Sequence, residues 1–220
     1  MLVKTYGSAV YGISAQLITV EVNVGQGAKT QIIGLPDNAV KESQPRVNAA
    51  MKNCGYTYPR KGVIINMAPA DIRKEGSSYD LTIALGVMAA GELINPIGLD
   101  DAIIMGELSL DGSILPIKGA LPIAIQAQKD GFKRLILPVE NALEAAIVKD
   151  LEVYGMHTLK EVVNLLEGNA TIERTIVNPR DDFADGIQQL AYNFSDVKGQ
   201  ENIKRAMEIA AAGGHNIITL

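Results

Sequence analysis

Three features of the sequence predict an α/β fold with α+β character. Residues 17–24 alternate strictly, with Ile18, Val20, Val22 and Val24 on one side and Leu17, Thr19, Glu21 and Asn23 on the other. That is the period of a half-buried strand. In the second half, short apolar runs alternate with helix-like runs, the order of an α/β protein. Asp111-Gly112 joins the strand-like runs IIMGELSL and SILPI, a strong hairpin signal.

Taken in order, residues 2–34 read as β-rich, with a turn at Gly25-Gln26-Gly27 before TQIIGL. Residues 37–54 read as a helix capped by Asp37 or Asn38, with an apolar stripe of Val40, Val47, Ala50, Met51 and Cys54 and a stop at Gly55. Pro45 inside that run predicts a kink or an early break. KGVIINMA at 61–68 reads as a buried strand. PADIRKEGSS then leads to an apolar helix at 79–91, with Ser77 and Asp80 spaced as a capping box. Beyond the hairpin come a helix at 119–130, the strand RLILP, a helix at 140–148, the strand LEVYG and a helix at 158–166. Periodicity is lost over 168–192, which contain Asn178-Pro179, Asp181-Asp182 and Gly186 and read as a linker. The tail recovers order as a helix at 199–212, a Gly-Gly stop and a strand. One helix and one strand bury no core, so they read as the opening of a further domain.

The composition, 47% hydrophobic and 20% charged, is that of a globular chain with an aliphatic core, since there is no Trp and only three Phe. A net charge of −5 argues against a general electrostatic nucleic-acid binder. Cys54 is the only cysteine and His157 and His215 the only histidines, which excludes an intrachain disulfide and the usual zinc sites but leaves a carboxylate site for Mg²⁺ open. The amino terminus lacks the apolar core of a signal peptide, and no run has the length of a membrane span. A cytoplasmic location without membrane contact is expected.

Three segments carry a resemblance: GLPDNAVKESQPRVNAAMKNCGY at 34–56, INMAPADIRKEGSSYDLTIALGVMAA at 65–90 and MGELSLDGSILPIKGALPIAIQA at 105–127. They resemble the amino-terminal domain of the ComM/YifB family of magnesium chelatase (ChlI-like) AAA+ ATPases. The tail DVKGQENIKRAMEIAAAGGHNIITL resembles the start of that family's AAA+ module. The resemblance covers nearly the whole chain, with Gln44 standing where an Arg is more usual. It implies a first domain at 1–167, a linker at 168–192 and the start of the ATPase domain at 193–220. No Gly-rich phosphate loop ending in Gly-Lys-Ser/Thr occurs in the chain. By the resemblance, that loop follows Leu220 in a longer parent. ATP and Mg²⁺ are then cofactors of the parent, with none expected in this piece.

The second and third segments also resemble the proteolytic domain of Lon, which implies a ribosomal protein S5 domain 2-like fold. Ser78, in Lys74-Glu75-Gly76-Ser77-Ser78, falls at Lon's nucleophile position. Leu121, in Leu115-Pro116-Ile117-Lys118-Gly119-Ala120-Leu121, falls at its lysine position. A serine nucleophile needs a base, and a leucine is none, so the implied catalytic set is incomplete and Ser78 reads as vestigial. Lys118 lies three residues earlier. For Ser77 and Ser78 two readings remain: helix capping, or contact of Arg73, Lys74, Ser77 and Ser78 with an anion or DNA phosphate at the helix start.

Arg60 with Lys61, Arg46 with Lys52, and Lys129, Lys133 and Arg134 read either as basic surface or as ordinary solvated charge. Glu107 and Asp111 read as a solvated turn or as a Mg²⁺ pair. Cys54 reads as core and His157 as structural or exposed. The resemblance implies a non-catalytic accessory domain of a hexameric AAA+ motor. Its partners are its own ATPase module, further copies of the chain and DNA, with branch migration during recombination as the parent's task. Alternatives are a chelatase-type protein-remodelling ATPase, a Lon-like serine peptidase and an oligomerisation module.

Overall fold

The computed structural model describes residues 1–177 and 193–218. The chain divides into two units, Met1–Val177 and Asn178–Leu220.

In the first unit, β1 (Leu2–Tyr11) and β2 (Ser14–Gly25) form a long antiparallel hairpin with Leu2 opposite Asn23. β3 (Thr30–Ile33) follows, then α1 (Asn38–Lys41), α2 (Ser43–Asn53), β4 (Gly62–Ala68), α3 (Asp80–Ala90) and β5 (Ala102–Ile104). β6 (Glu107–Leu108) and β7 (Ile114–Leu115) make a separate two-stranded ribbon. α4 (Ala120–Lys129), β8 (Arg134–Pro138), α5 (Val139–Ala145), β9 (Glu152–Met156) and α6 (Leu159–Leu166) complete the unit. The main sheet has the order β3-β4-β2-β1-β5-β8-β9. Its pairs are parallel except β1 with β2 and β2 with β4. The α/β expectation therefore holds, with the α+β character confined to the antiparallel centre.

The alternation in β2 decides how the sheet is covered. Ile18, Val20 and Val22 are fully buried under α3, whose Gly86 sits so close to Val22 that a methyl group there would meet its side chain at 2.7 Å. α3 is apolar all round, and every residue from Asp80 to Ala90 is buried, so it is the central helix. The Thr82 hydroxyl donates to the Ile104 carbonyl and the Thr5 hydroxyl to the Thr82 carbonyl (3.1 Å), which ties α3 to β5 and β1. On the opposite face Tyr6, Val10 and Leu17 are partly covered, with Gly119 at the start of α4 against Val10 and the Phe132 ring tilted against Tyr6.

Two sequence expectations need correction here. The single helix over 37–54 is two helices, because the turn at Glu42 separates α1 from α2. Pro45 then sits in the first turn of α2, where no i−4 carbonyl bond is lost. Ser77 and Asp80 do not form a capping box. Asp80 is the first residue of α3, its carboxylate faces Arg46, and the Ser77 hydroxyl points to Glu107. Asp37 does cap, its Oδ1 accepting the Val40 N–H at 2.8 Å.

Residues 168–177 carry Thr175, whose N–H donates to the Val153 carbonyl at 2.7 Å, along the outer edge of β9. The linker expected over 168–192 otherwise lies outside the described residues.

In the second unit a 3-10 turn at Phe194–Asp196, held by an Asn193/Asp196 capping box, precedes α7 (Glu201–Gly213). α7 ends on Gly214 in the left-handed region (φ 63°). Residues 215–218 are not a strand, contrary to the reading of NIITL. A strand needs a neighbouring ladder, and the described residues of this unit provide none. No helix among the described residues is long and apolar enough to cross a membrane.

Candidate functional site

A cleft of about 420 Å³ opens beside the start of α3. One wall is the segment Glu75–Tyr79 with Glu107, and the other is Pro116–Lys118; Val10, Met105 and Ile123 line the apolar part.

Local chemistry holds the first wall. Residues 35–37 run beside Lys74, with Lys74 N–H to the Leu35 carbonyl and Asp37 N–H to the Lys74 carbonyl (2.9 Å). The second Asp37 oxygen accepts the Gly76 N–H at 3.0 Å, so one carboxylate caps α1 and pins the serine loop. Gly34 makes this approach possible. Its φ is 99°, and a Cβ there would strike the Met67 carbonyl. The amides at the start of α3 are partly used internally: Asp80 N–H reaches the Ser77 carbonyl, Leu81 N–H the Gly106 carbonyl, and Gly106 N–H returns to the Ser78 carbonyl.

Below the cleft lies a buried ion pair. Arg46 donates through Nε (2.7 Å) and Nη2 (3.0 Å) to both oxygens of Asp80, whose side chain is 1% exposed. Asp80 also accepts the Leu108 N–H at 3.3 Å. Burial pushes the Asp80 carboxyl up, with Arg46 and the Leu108 N–H pulling it back; Asp80 in turn holds the Arg46 guanidinium above its ordinary range. α2, α3 and β6 are locked together at this point.

The second wall is set by Asn141 of α5. Its side-chain oxygen accepts the Ile117 N–H and its nitrogen donates to the Ile117 carbonyl, each at 2.9 Å. Gly119 follows in the left-handed region (φ 79°) and starts α4. Lys118 therefore lies between two fixed points and lines the cleft.

The residues singled out from the sequence fare differently. Ser77 and Ser78 both line the cleft, but Ser77 donates to Glu107, whereas the Ser78 hydroxyl has no hydrogen-bond partner among the described residues. Leu121 is not part of the lining; its N–H is bound by Glu144 at 2.9 Å. Lys74 corrects the expected anion set: it is fully buried, its ammonium donates to the Pro69 carbonyl, and burial lowers its pKa. Arg73 is exposed and paired with Glu75 at 3.1 Å.

Elsewhere, Arg46 leaves the basic-surface set because it serves Asp80, and Arg134 because it serves Asp101 and the Gly98 carbonyl. Arg60, Lys61, Lys52, Lys129 and Lys133 are exposed. Asp111 accepts the Ser113 N–H at 2.9 Å, which lowers its pKa, and Glu107 accepts from Ser77. Among the described residues no group of three or more His, Cys, Asp or Glu is placed to hold a metal. Cys54 is buried beneath the hairpin turn at Gly112, and His157 is exposed.

Sequence reasoning missed the Arg46–Asp80 pair, the second bond of Asp37 and the Asn141 clamp. Each joins residues 24 to 39 positions apart, so no local pattern signals it.

Comparison with known proteins gives a match over residues 20–141 to the family model described as subunit ChlI of Mg-chelatase. A second match, over residues 193–220, is to the model described as magnesium chelatase, subunit ChlI. The competence protein ComM of Haemophilus influenzae is 36% identical over 220 residues, covering 100% of this chain and 43% of the relative. The uncharacterized protein YifB of Escherichia coli is 39% identical over 213 residues, covering 96% and 41%. Lon protease 2 of Bacillus subtilis is 29% identical over 190 residues, covering 76% and 33%. The chain thus spans about two fifths of the length of the ComM and YifB relatives.

Proposed function

Since the chain belongs to the ComM/YifB family of magnesium chelatase (ChlI-like) proteins, we propose that it is the non-catalytic accessory domain, with the first elements of the ATPase domain, of a longer AAA+ ATPase. The reading divides it into a Lon-like domain of S5 domain 2-like fold at 1–167, a linker at 168–192 and the start of the ATPase module at 193–220. The Lon relative and the mixed sheet support that fold. One observation carries the non-catalytic reading: Leu121 stands at the lysine position and outside the cleft lining, and among the described residues no base is hydrogen-bonded to the Ser78 hydroxyl.

In this reading the parent binds ATP and Mg²⁺, assembles as a hexamer and moves branched DNA. The name of one relative, competence protein ComM, is what suggests a role on DNA. Of the four residues expected to meet an anion, Arg73 and Ser78 keep that role; Lys74 is too deeply buried and Ser77 is engaged by Glu107. The full-length protein is expected to hydrolyse ATP faster with branched DNA. ATP hydrolysis indifferent to DNA, with no binding of branched DNA, overturns the motor reading. Cleavage of an unfolded protein that depends on Ser78 overturns the non-catalytic one. The description of the matching family, a subunit of Mg-chelatase, favours a second reading, an ATPase that remodels a protein partner.

A further inference from the structure

We propose that the cleft between Ser78 and Lys118 binds a carboxylate carried on an apolar body, of the size of a hydrophobic dipeptide. The proposal deepens the anion reading of Ser78 and moves the contact from the domain surface into the cleft.

Most polar groups of the cleft walls already have partners. On the first wall the Gly76 N–H belongs to Asp37 and the Ser77 hydroxyl to Glu107. Glu75 is paired with Arg73. On the second wall both backbone groups of Ile117 belong to Asn141. The Ser78 hydroxyl and the Lys118 ammonium, on opposite walls, have no partner among the described residues. Both are donors; the Ser78 carbonyl accepts the Gly106 N–H, and the backbone beside Lys118 is held by Asn141.

The rest of the cleft selects the ligand. Val10, Met105, Ile117 and Ile123 make its interior apolar, and its volume of about 420 Å³ lies at the small end of ligand pockets. One ammonium beside two wall carboxylates, Glu75 and Glu107, favours a singly charged group over a phosphate with its larger charge. A carboxylate has two oxygens, one for Lys118 and one for the Ser78 hydroxyl.

The test titrates the 220-residue chain with N-acetyl-leucyl-leucine, its carboxamide, inorganic phosphate and a short DNA duplex, followed by backbone amide shifts. The acid is expected to move Ser78 and Lys118 and to bind about tenfold more tightly than the carboxamide, as loss of one charge-assisted bond implies. Lys118→Ala removes that advantage and Lys118→Arg restores most of it. Because Lys118 is exposed, neither change threatens the fold. Equal binding of acid and carboxamide overturns the proposal, as does no binding of the acid or indifference to Lys118→Ala. Tighter binding of the duplex through the same residues also overturns it, and leaves the DNA reading of the parent standing.

Discussion

Arg46 of α2 meets Asp80 of α3 through two charged hydrogen bonds. Asp80 has 1% of its side chain exposed, and its charge depends on two bonds from one guanidinium. Removing the partner of a buried charge costs more than the pair contributes, because the remaining ion is left unsolvated. Arg46→Ala is expected to lower unfolding free energy by about 3 kcal/mol in urea titration. Arg46→Lys should recover less than half, since an ammonium cannot span both oxygens. Gly34 makes a second prediction at this scale. Its φ of 99° and its contact with the Met67 carbonyl leave no room for a methyl group. Gly34→Ala should cost about 2 kcal/mol or more, measured as a shift in urea midpoint. A loss under a few tenths would show that the chain at 34–37 has another route past β4.

Among the elements, the short ribbon of β6 and β7 and the loop that follows it show how position is set from a distance. Asp111-Gly112 was enough to read the hairpin, because the turn chemistry is local. Which way the loop at 116–118 faces depends on Asn141, 24 residues later, and no periodicity contains that. Asn141→Ala is expected to speed hydrogen exchange of the Ile117 amide at least tenfold while leaving amides of α3 protected. Unchanged exchange at Ile117 would mean that Gly119 and α4 alone hold the loop. α3 makes the converse point. Its all-round apolar sequence announced burial, yet the reading of its start as a capping box failed. The Ser77 and Asp80 side chains have stronger partners, in Glu107 and Arg46, than the helix amides.

At the scale of the whole molecule, the aliphatic core of the described residues lies within Met1–Val177. A chain of residues 1–177 is therefore expected to fold alone and to unfold in one cooperative transition by circular dichroism. Failure of that fragment to fold would show that the boundary is misplaced. Periodicity and turn residues, both local, sufficed for the strands at 2–34, the helices from α3 onward and the α/β class. The motifs at 34–56, 65–90 and 105–127 likewise carried the family, because a family is recognised by residues in order along the chain. The cleft is different in kind. Ser78 was marked by its motif, but the withdrawal of Lys74 into the core, the pairing of Ser77 with Glu107 and the presentation of Lys118 opposite Ser78 come from contacts between distant segments. Whether a polar group is available to a ligand depends on what has already satisfied it, and that is settled only when the chain has folded.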